Sequence, residues 1–80
     1  MDMNETNMKV SDLGLAAALV TCGFEILQTT RDPYGRANFF FEENAALADT
    51  INAYWADSLE LKARKYFDNT KMLKVRIYAK

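Results

Sequence analysis

The residues of this chain best suited to chemistry are cationic and aromatic. Arg31, Tyr34 and Arg36 surround a proline–glycine turn. Two guanidinium groups and a tyrosine ring can hold a phosphate and stack a base, which is the pairing that nucleotide binding requires. The alternative is that both arginines pair with Asp32 and nearby acidic residues. We therefore treat the turn as a candidate contact site for a ligand or partner.

A second candidate group, Lys65, Lys71 and Arg76, lies near the end of the chain. Residues 1–61 hold ten acidic and three basic residues, whereas residues 62–80 hold seven basic and one acidic residue. At helical spacing these basic residues do not form one uninterrupted face. They are either a solvated surface or a surface for an anion or partner.

Catalytic and metal-binding patterns are absent from the sequence. The chain has no histidine and one cysteine, Cys22, so the usual nucleophile–base pairs and zinc ligand sets cannot form. Glu42 and Glu43 are adjacent and would point to opposite faces of a strand. We expect no enzyme activity, cofactor or metal, and we interpret Cys22 as a small buried residue and Trp55 as part of the core.

Length and composition indicate one small domain. The chain has 80 residues, half of them hydrophobic, and a single cysteine allows no internal disulfide. We expect a disordered tail over residues 1–7 and a single α+β domain over residues 8–80. No apolar run approaches the length of a membrane span, so we expect no membrane association and a cytoplasmic location.

A β-hairpin is predicted at the centre of the chain. Pro33 suits the second position of a type I turn and Gly35 the left-handed position that follows. Because the residue before a proline disfavours helical geometry, a three-residue loop over residues 33–35 fits best. Asp32 then pairs with Arg36.

This register assigns the flanking side chains to faces. It pairs Gln28 with Phe40 and Leu27 with Phe41. One face then carries Phe24, Ile26 and Phe40, and the other carries Leu27, Phe39 and Phe41. Because both faces would be apolar and three helices are few to cover them, we expect a second copy or a partner to complete one face.

Helices are predicted on both sides of the hairpin. The first covers about residues 12–22, with Ser11 as its N-cap and Gly23 after its end. The second covers about residues 45–57 and is capped by Asn44.

A third helix is predicted near the end of the chain, over about residues 63–78. Residues 58–63 alternate with period two, which allows a short third strand or a continuous helix. The predicted order is therefore helix, β-hairpin, helix, a short strand if residues 58–63 form one, and helix.

Four segments carry a resemblance to a known family. They are residues 11–17 (SDLGLAA), residues 23–27 (GFEIL), residues 35–42 (GRANFFFE) and residues 72–78 (MLKVRIY). Their order over residues 9–78 resembles a family of short phage and prophage proteins that is a domain of unknown function. The resemblance implies an accessory protein of a virus or mobile element and implies no activity.

Two functional hypotheses follow. The first is a non-enzymatic accessory protein that counters host defence in the cytoplasm of an infected or lysogenic bacterium, by inhibiting a host protein or sequestering a nucleotide signal. The second is a nucleic-acid-binding or regulatory module that uses the basic C-terminal helix. A homo-oligomer is also expected.

Overall fold

The structure, a computed structural model, describes residues 7–78 and has an α+β architecture. Its elements are, in chain order, β1 (Asn7–Val10), α1 (Leu13–Thr21), β2 (Ile26–Arg31), β3 (Ala37–Glu42), α2 (Ala45–Trp55) and α3 (Ala63–Tyr78). The strands form one antiparallel sheet in the order β1-β3-β2. The predicted fold class and the three helices are confirmed.

The third strand lies at the start of the chain, and residues 58–62 form neither the short strand nor the continuous helix that the sequence left open. Within β1, Met8 pairs with Phe41 and Val10 with Phe39. The predicted disordered tail ended at Asn7, which is the first residue of β1; residues 1–6 lie outside the described part. Residues 58–62 have no regular structure.

The N-cap of helix α1 lies one residue after the predicted cap, Ser11. The Asp12 carboxylate accepts a hydrogen bond from the Leu15 N–H at 2.9 Å, so Asp12 is the N-cap. The Ser11 hydroxyl donates instead to the Asn38 side-chain oxygen at 2.8 Å. Ser11 therefore connects the chain before α1 to the central strand.

The turn of the hairpin has the predicted three-residue loop, but the register of β2 differs from the prediction before Gln28. The Asp32 N–H donates to the Arg36 carbonyl at 2.9 Å, and Gly35 has φ +84°. The pairing of Gln28 with Phe40 is also confirmed. A β-bulge then shifts the register, so that Phe41 pairs with Ile26 and not with Leu27.

The bulge changes which side chains face the core. Phe39 and Phe41 are buried, and Ile26 packs against them from β2, whereas Leu27 is 49% exposed. Phe40 faces the other side of the sheet, paired with Lys9 and Gln28. The prediction that both faces are apolar is therefore wrong, because Phe40 lies between polar neighbours on the face that the core helices leave uncovered.

The three helices pack on the face that carries Phe39. Helix α1 contacts both α2 and α3. Its residues 15–19 are almost fully buried, because their small alanines let the neighbouring helices approach closely. Leu47 of α2 and Leu73 of α3 complete the core.

Helices α1 and α2 end with the same hydrogen-bond pattern. In α1, the Gly23 N–H bonds the Val20 carbonyl and the Phe24 N–H bonds the Leu19 carbonyl, both at 3.0 Å. This is the Schellman motif, in which the residue after the cap adopts a left-handed conformation. Gly23 occupies that position with φ +102°, as its predicted role after the helix requires.

The equivalent residue after α2 is not glycine. The Asp57 N–H bonds the Tyr54 carbonyl at 3.1 Å and the Ser58 N–H bonds the Ala53 carbonyl at 2.9 Å. Asp57 has φ +59°, and in the described part of the chain it is the one residue other than glycine with a positive φ. An L-residue in this conformation costs roughly 1–2 kcal/mol, somewhat less for Asp and Asn.

Candidate binding surfaces

The hairpin tip carries Tyr34 in nearly full contact with solvent. Its side chain is 93% exposed. The turn beneath it is fixed by Asp32, whose carboxylate accepts hydrogen bonds from the N–H groups of Tyr34 and Arg36, each at 2.9 Å. Asp32 therefore serves the backbone of the turn, and within residues 7–78 it makes no ion pair with Arg31 or Arg36.

Arg31 connects the hairpin to the end of α3. Its guanidinium donates to the carbonyl of Ile77 and, at 3.4 Å, to the carbonyl of Gly35. Terminal carbonyls of a helix lack intrahelical partners, and a cation there also complements the helix dipole. Arg31 thus has a structural role that the sequence did not indicate. Of the two guanidinium groups predicted to hold a phosphate, only that of Arg36 remains free to do so within the described residues.

The three predicted residues of α3 do not share a surface. Lys71 lies on the solvent side, with its Nζ 5.1 Å from the centre of the Phe67 ring. Arg76 is rotated from Lys71 by about 140° around the helix axis, and Lys65 lies on the same side as Arg76. Arg76 lines a cavity of about 300 Å³ together with Phe24 and Glu25.

The solvent side of α3 combines apolar and cationic side chains. We define the outer face of α3 as Arg64, Phe67, Lys71, Lys74, Val75 and Tyr78, which lie within about 100° of one another around the helix axis. Phe67, Val75 and Tyr78 are 58%, 69% and 75% exposed. The opposite side of the same helix packs into the core through Leu73.

A second surface, which the sequence did not predict, is an aromatic cavity at the end of α2. We define the aromatic pocket by the residues that line its volume of about 390 Å³: Tyr54, Trp55, Asp57, Leu59, Leu61 and Tyr66. Trp55 is 61% exposed, so the interpretation of this residue as core is wrong. Leu59 and Leu61, the apolar members of the alternation at residues 58–63, both line this pocket.

Two tyrosine hydroxyls meet beside Gly14. The Tyr66 hydroxyl donates to the Gly14 carbonyl at 3.1 Å. A Cβ atom at Gly14 would lie 2.7 Å from the Tyr54 hydroxyl oxygen, closer than van der Waals contact permits. Close packing therefore explains the glycine inside α1. Partial burial raises the pKa of the Tyr54 phenol, and the neighbouring Tyr66 and Asp12 raise it further.

Cys22 lies at the end of α1 and is exposed, which corrects its interpretation as a buried residue. Partial desolvation raises the pKa of its thiol, the opposite of what an activated nucleophile requires. Among residues 7–78 no group of acidic or cysteine side chains is arranged to hold a metal ion. None of the helices in this range is long and apolar enough to cross a membrane.

These observations define a small α+β domain with a three-stranded antiparallel sheet and helices on one face. The chain belongs to the DUF5659 family, a domain of unknown function whose family pattern matches residues 5–79. No curated protein and no solved structure matches the chain.

Proposed function

We propose that this protein is a non-enzymatic accessory protein of a phage or mobile element that binds and inhibits a host protein, as a counter-defence factor in the cytoplasm of the bacterium. The supporting observation is the outer face of α3, where Phe67, Val75 and Tyr78 are exposed on a helix whose other side is anchored in the core. A soluble domain rarely leaves several large apolar side chains together in water unless they meet a partner.

The charge of this face indicates the kind of partner. Arg64, Lys71 and Lys74 lie among the apolar side chains, and Arg64 makes only a weak, exposed ion pair with Asp68 at 3.7 Å. Aromatic residues and arginine are enriched where binding energy is concentrated in protein interfaces. We infer that the partner presents an apolar groove bordered by acidic side chains.

Sequestration of a nucleotide is the less favoured form of this proposal. No basic side chain lines the aromatic pocket, and the smaller cavity offers one arginine, Arg76, beside Glu25. A nucleotide phosphate would need several cationic or N–H donors directed at it. Arg36 and Tyr34 at the hairpin tip remain available for contact, but Arg31 is engaged with α3.

Nucleic-acid binding is a second candidate function, favoured by one observation. On the outer face of α3, Lys71 and Lys74 alternate with Phe67 and Tyr78, and aromatic rings between basic residues are typical of surfaces that bind single strands. This candidate predicts affinity that falls steeply with salt.

The first candidate is tested by comparing two variants of the full chain. We expect the double variant Phe67→Ala/Tyr78→Ala to retain a specific bacterial host protein at least tenfold more weakly than the unchanged chain. Leu27→Ala, which truncates an exposed apolar residue elsewhere, should retain it normally. Pull-down from bacterial lysate, followed by binding measurements on the purified partner, gives the result.

Direct titration with single-stranded nucleic acid separates the second candidate from the first. If the chain binds single-stranded DNA or RNA at low salt, and both Lys71→Glu and added salt abolish that binding, the second candidate replaces the first. If neither a host protein nor a nucleic acid binds the unchanged chain, the proposed use of the outer face of α3 is wrong.

A homo-oligomer is the competing use of the outer face of α3, because a second copy and a host protein cannot both cover the same side chains. The sheet face that carries Phe40 is a poorer choice, because polar Lys9 and Gln28 pair with it. Gel filtration with light scattering should then give a multimer that Phe67→Ala/Tyr78→Ala dissociates. A monomer at all concentrations would remove this part of the proposal.

A further inference from the structure

We propose that the aromatic pocket binds an organic cation, specifically an alkylated ammonium group. This site is separate from the outer face of α3, so the proposal goes beyond the function proposed above. Its volume of about 390 Å³ lies within the range of small-molecule sites in proteins.

The walls of the pocket are aromatic rings. Tyr54 and Trp55 have ring centroids 5.0 Å apart and planes at 82°, so the two rings form a corner. Tyr66 of α3 adds a third ring to the lining. The faces of such rings carry negative electrostatic potential, and a cation within about 6 Å of a ring centroid is attracted to them.

The three rings differ in their exposure to water. Trp55 is largely exposed, whereas Tyr54 and Tyr66 are partly buried and pack against the core cluster. The Tyr66 hydroxyl is fixed by the Gly14 carbonyl. Two rings are therefore held in place before a ligand arrives, which lowers the entropy lost on binding.

The charge of the lining also fits a cation. Asp57 is the one ionisable acid or base among the lining residues other than the tyrosine phenols. Lys62 and Lys65 are near in sequence, but they are exposed and do not line the pocket. Within residues 7–78 no basic side chain forms an ion pair with Asp57, so its carboxylate is available to balance a bound cation.

The backbone at Asp57 gives an independent argument. It occupies the left-handed position of a Schellman motif, where glycine is the favoured residue and where α1 uses Gly23. A strained position occupied by an ionisable residue, at the rim of a cavity, indicates that the side chain contributes something beyond stability. Balancing a cation in the pocket is a contribution that a carboxylate can make there.

The ligand class distinguishes this proposal from a general apolar groove. An apolar groove without charge complementarity favours the neutral isostere, because removing a cation from water costs free energy. An aromatic pocket with a carboxylate at its rim prefers the cation. Choline and its uncharged carbon isostere, 3,3-dimethylbutan-1-ol, form the matched pair that tests this difference.

Titration of the full chain with these two compounds tests the proposal. Trp55 is the sole tryptophan, so its fluorescence reports binding directly. We expect a saturable change with choline and at least about tenfold weaker binding of the neutral isostere. An N-acetylated trimethyl-lysine ester should bind like choline if the natural ligand is a modified side chain, and more weakly if it is a free small molecule.

Two variants assign the effect to the pocket. Asp57→Asn keeps a residue that tolerates the left-handed conformation, and it should weaken choline binding about fivefold or more by calorimetry. Leu27→Ala should leave the affinity unchanged. Equal binding of choline and its isostere, no saturable binding of choline, or full affinity in Asp57→Asn would each overturn the proposal. None of these results depends on a host partner of α3.

Discussion

Helices α1 and α2 end with the same pair of hydrogen bonds but place different residues at the left-handed position. Gly23 follows α1 with φ +102°, and Asp57 follows α2 with φ +59°. A Cβ atom at Gly23 would meet no heavy atom within 4 Å, so glycine is present there for its backbone freedom alone. The end of α1 is therefore built for stability.

The end of α2 is built differently. The left-handed conformation of Asp57 costs free energy that a glycine would not lose. Its side chain lines the aromatic pocket beside Trp55. Residues that lower stability in this way are concentrated where a protein binds or reacts. The comparison teaches that the same motif can meet only a backbone requirement at one helix end and present a functional group at another.

Placing aspartate at the end of α1, as at the end of α2, should have the largest effect on stability. We expect Gly23→Asp to lower the free energy of unfolding by about 1–2 kcal/mol, because an L-residue at φ +102° is strained even where space is free. Urea denaturation followed by circular dichroism measures the change. Unaltered stability would show that residue 23 does not hold this conformation in solution, and the comparison would fail.

The opposite exchange at α2 should be smaller and favourable. Asp57→Gly relieves the backbone strain, although glycine also loses more entropy on folding, so we expect stability to rise by up to about 1 kcal/mol. The same variant should lose binding of choline. A loss of stability in Asp57→Gly would mean that the carboxylate supports the fold, and the functional interpretation of Asp57 would lose its backbone argument.

Signals that act over a few residues could be predicted from the sequence. The glycine after α1, the turn at Gly35 and the cap of α2 at Asn44, whose side chain accepts from the Leu47 N–H at 2.8 Å, follow from local backbone chemistry. The α3 bounds follow from helical periodicity. Each of these features is determined by residues adjacent in the chain.

Features set by distant contacts could not be predicted. Strand β1 has four residues, and it is a strand because β3 offers it a partner. The bulge before Gln28 moves Ile26 to the core face, which the alternation of the isolated strand does not show. The partner of Arg31 is 46 positions away, at Ile77.

The aromatic pocket was missed for a related reason. Tyr54 and Trp55 follow one another at the end of a helix, and the sequence interpretation assigned Trp55 to the core. Tyr66, which completes the lining, comes from a different helix. One sequence feature could have indicated the pocket. Asp57 follows Trp55 by two positions, and no glycine is present there to end α2.

Ionisation at the two helix ends should lower the stability of the fold in different pH ranges. This is the smallest expected effect. Cys22 caps α1 and Tyr54 lies in the last turn of α2, and partial burial raises the pKa of each above its ordinary value of 9.0 and 10.0, respectively. A raised pKa means that the folded state keeps its proton while the unfolded state loses it. The stabilising contribution is therefore complete below the unfolded-state pKa and is lost as pH rises through the folded-state pKa.

Denaturation from pH 7 to pH 11 in the presence of a reducing agent separates these contributions. We expect Cys22→Ser to remove the part of the decline that begins near pH 9, and Tyr54→Phe to remove the part that begins near pH 10. Each variant serves as the control for the other, because each should leave the other's pH range unchanged. A contradicting result would be that Tyr54→Phe removes the loss of stability near pH 9. The Tyr54 phenol would then not be held neutral beside Tyr66 and Asp12. The packing at the inner end of the aromatic pocket would differ from the one described.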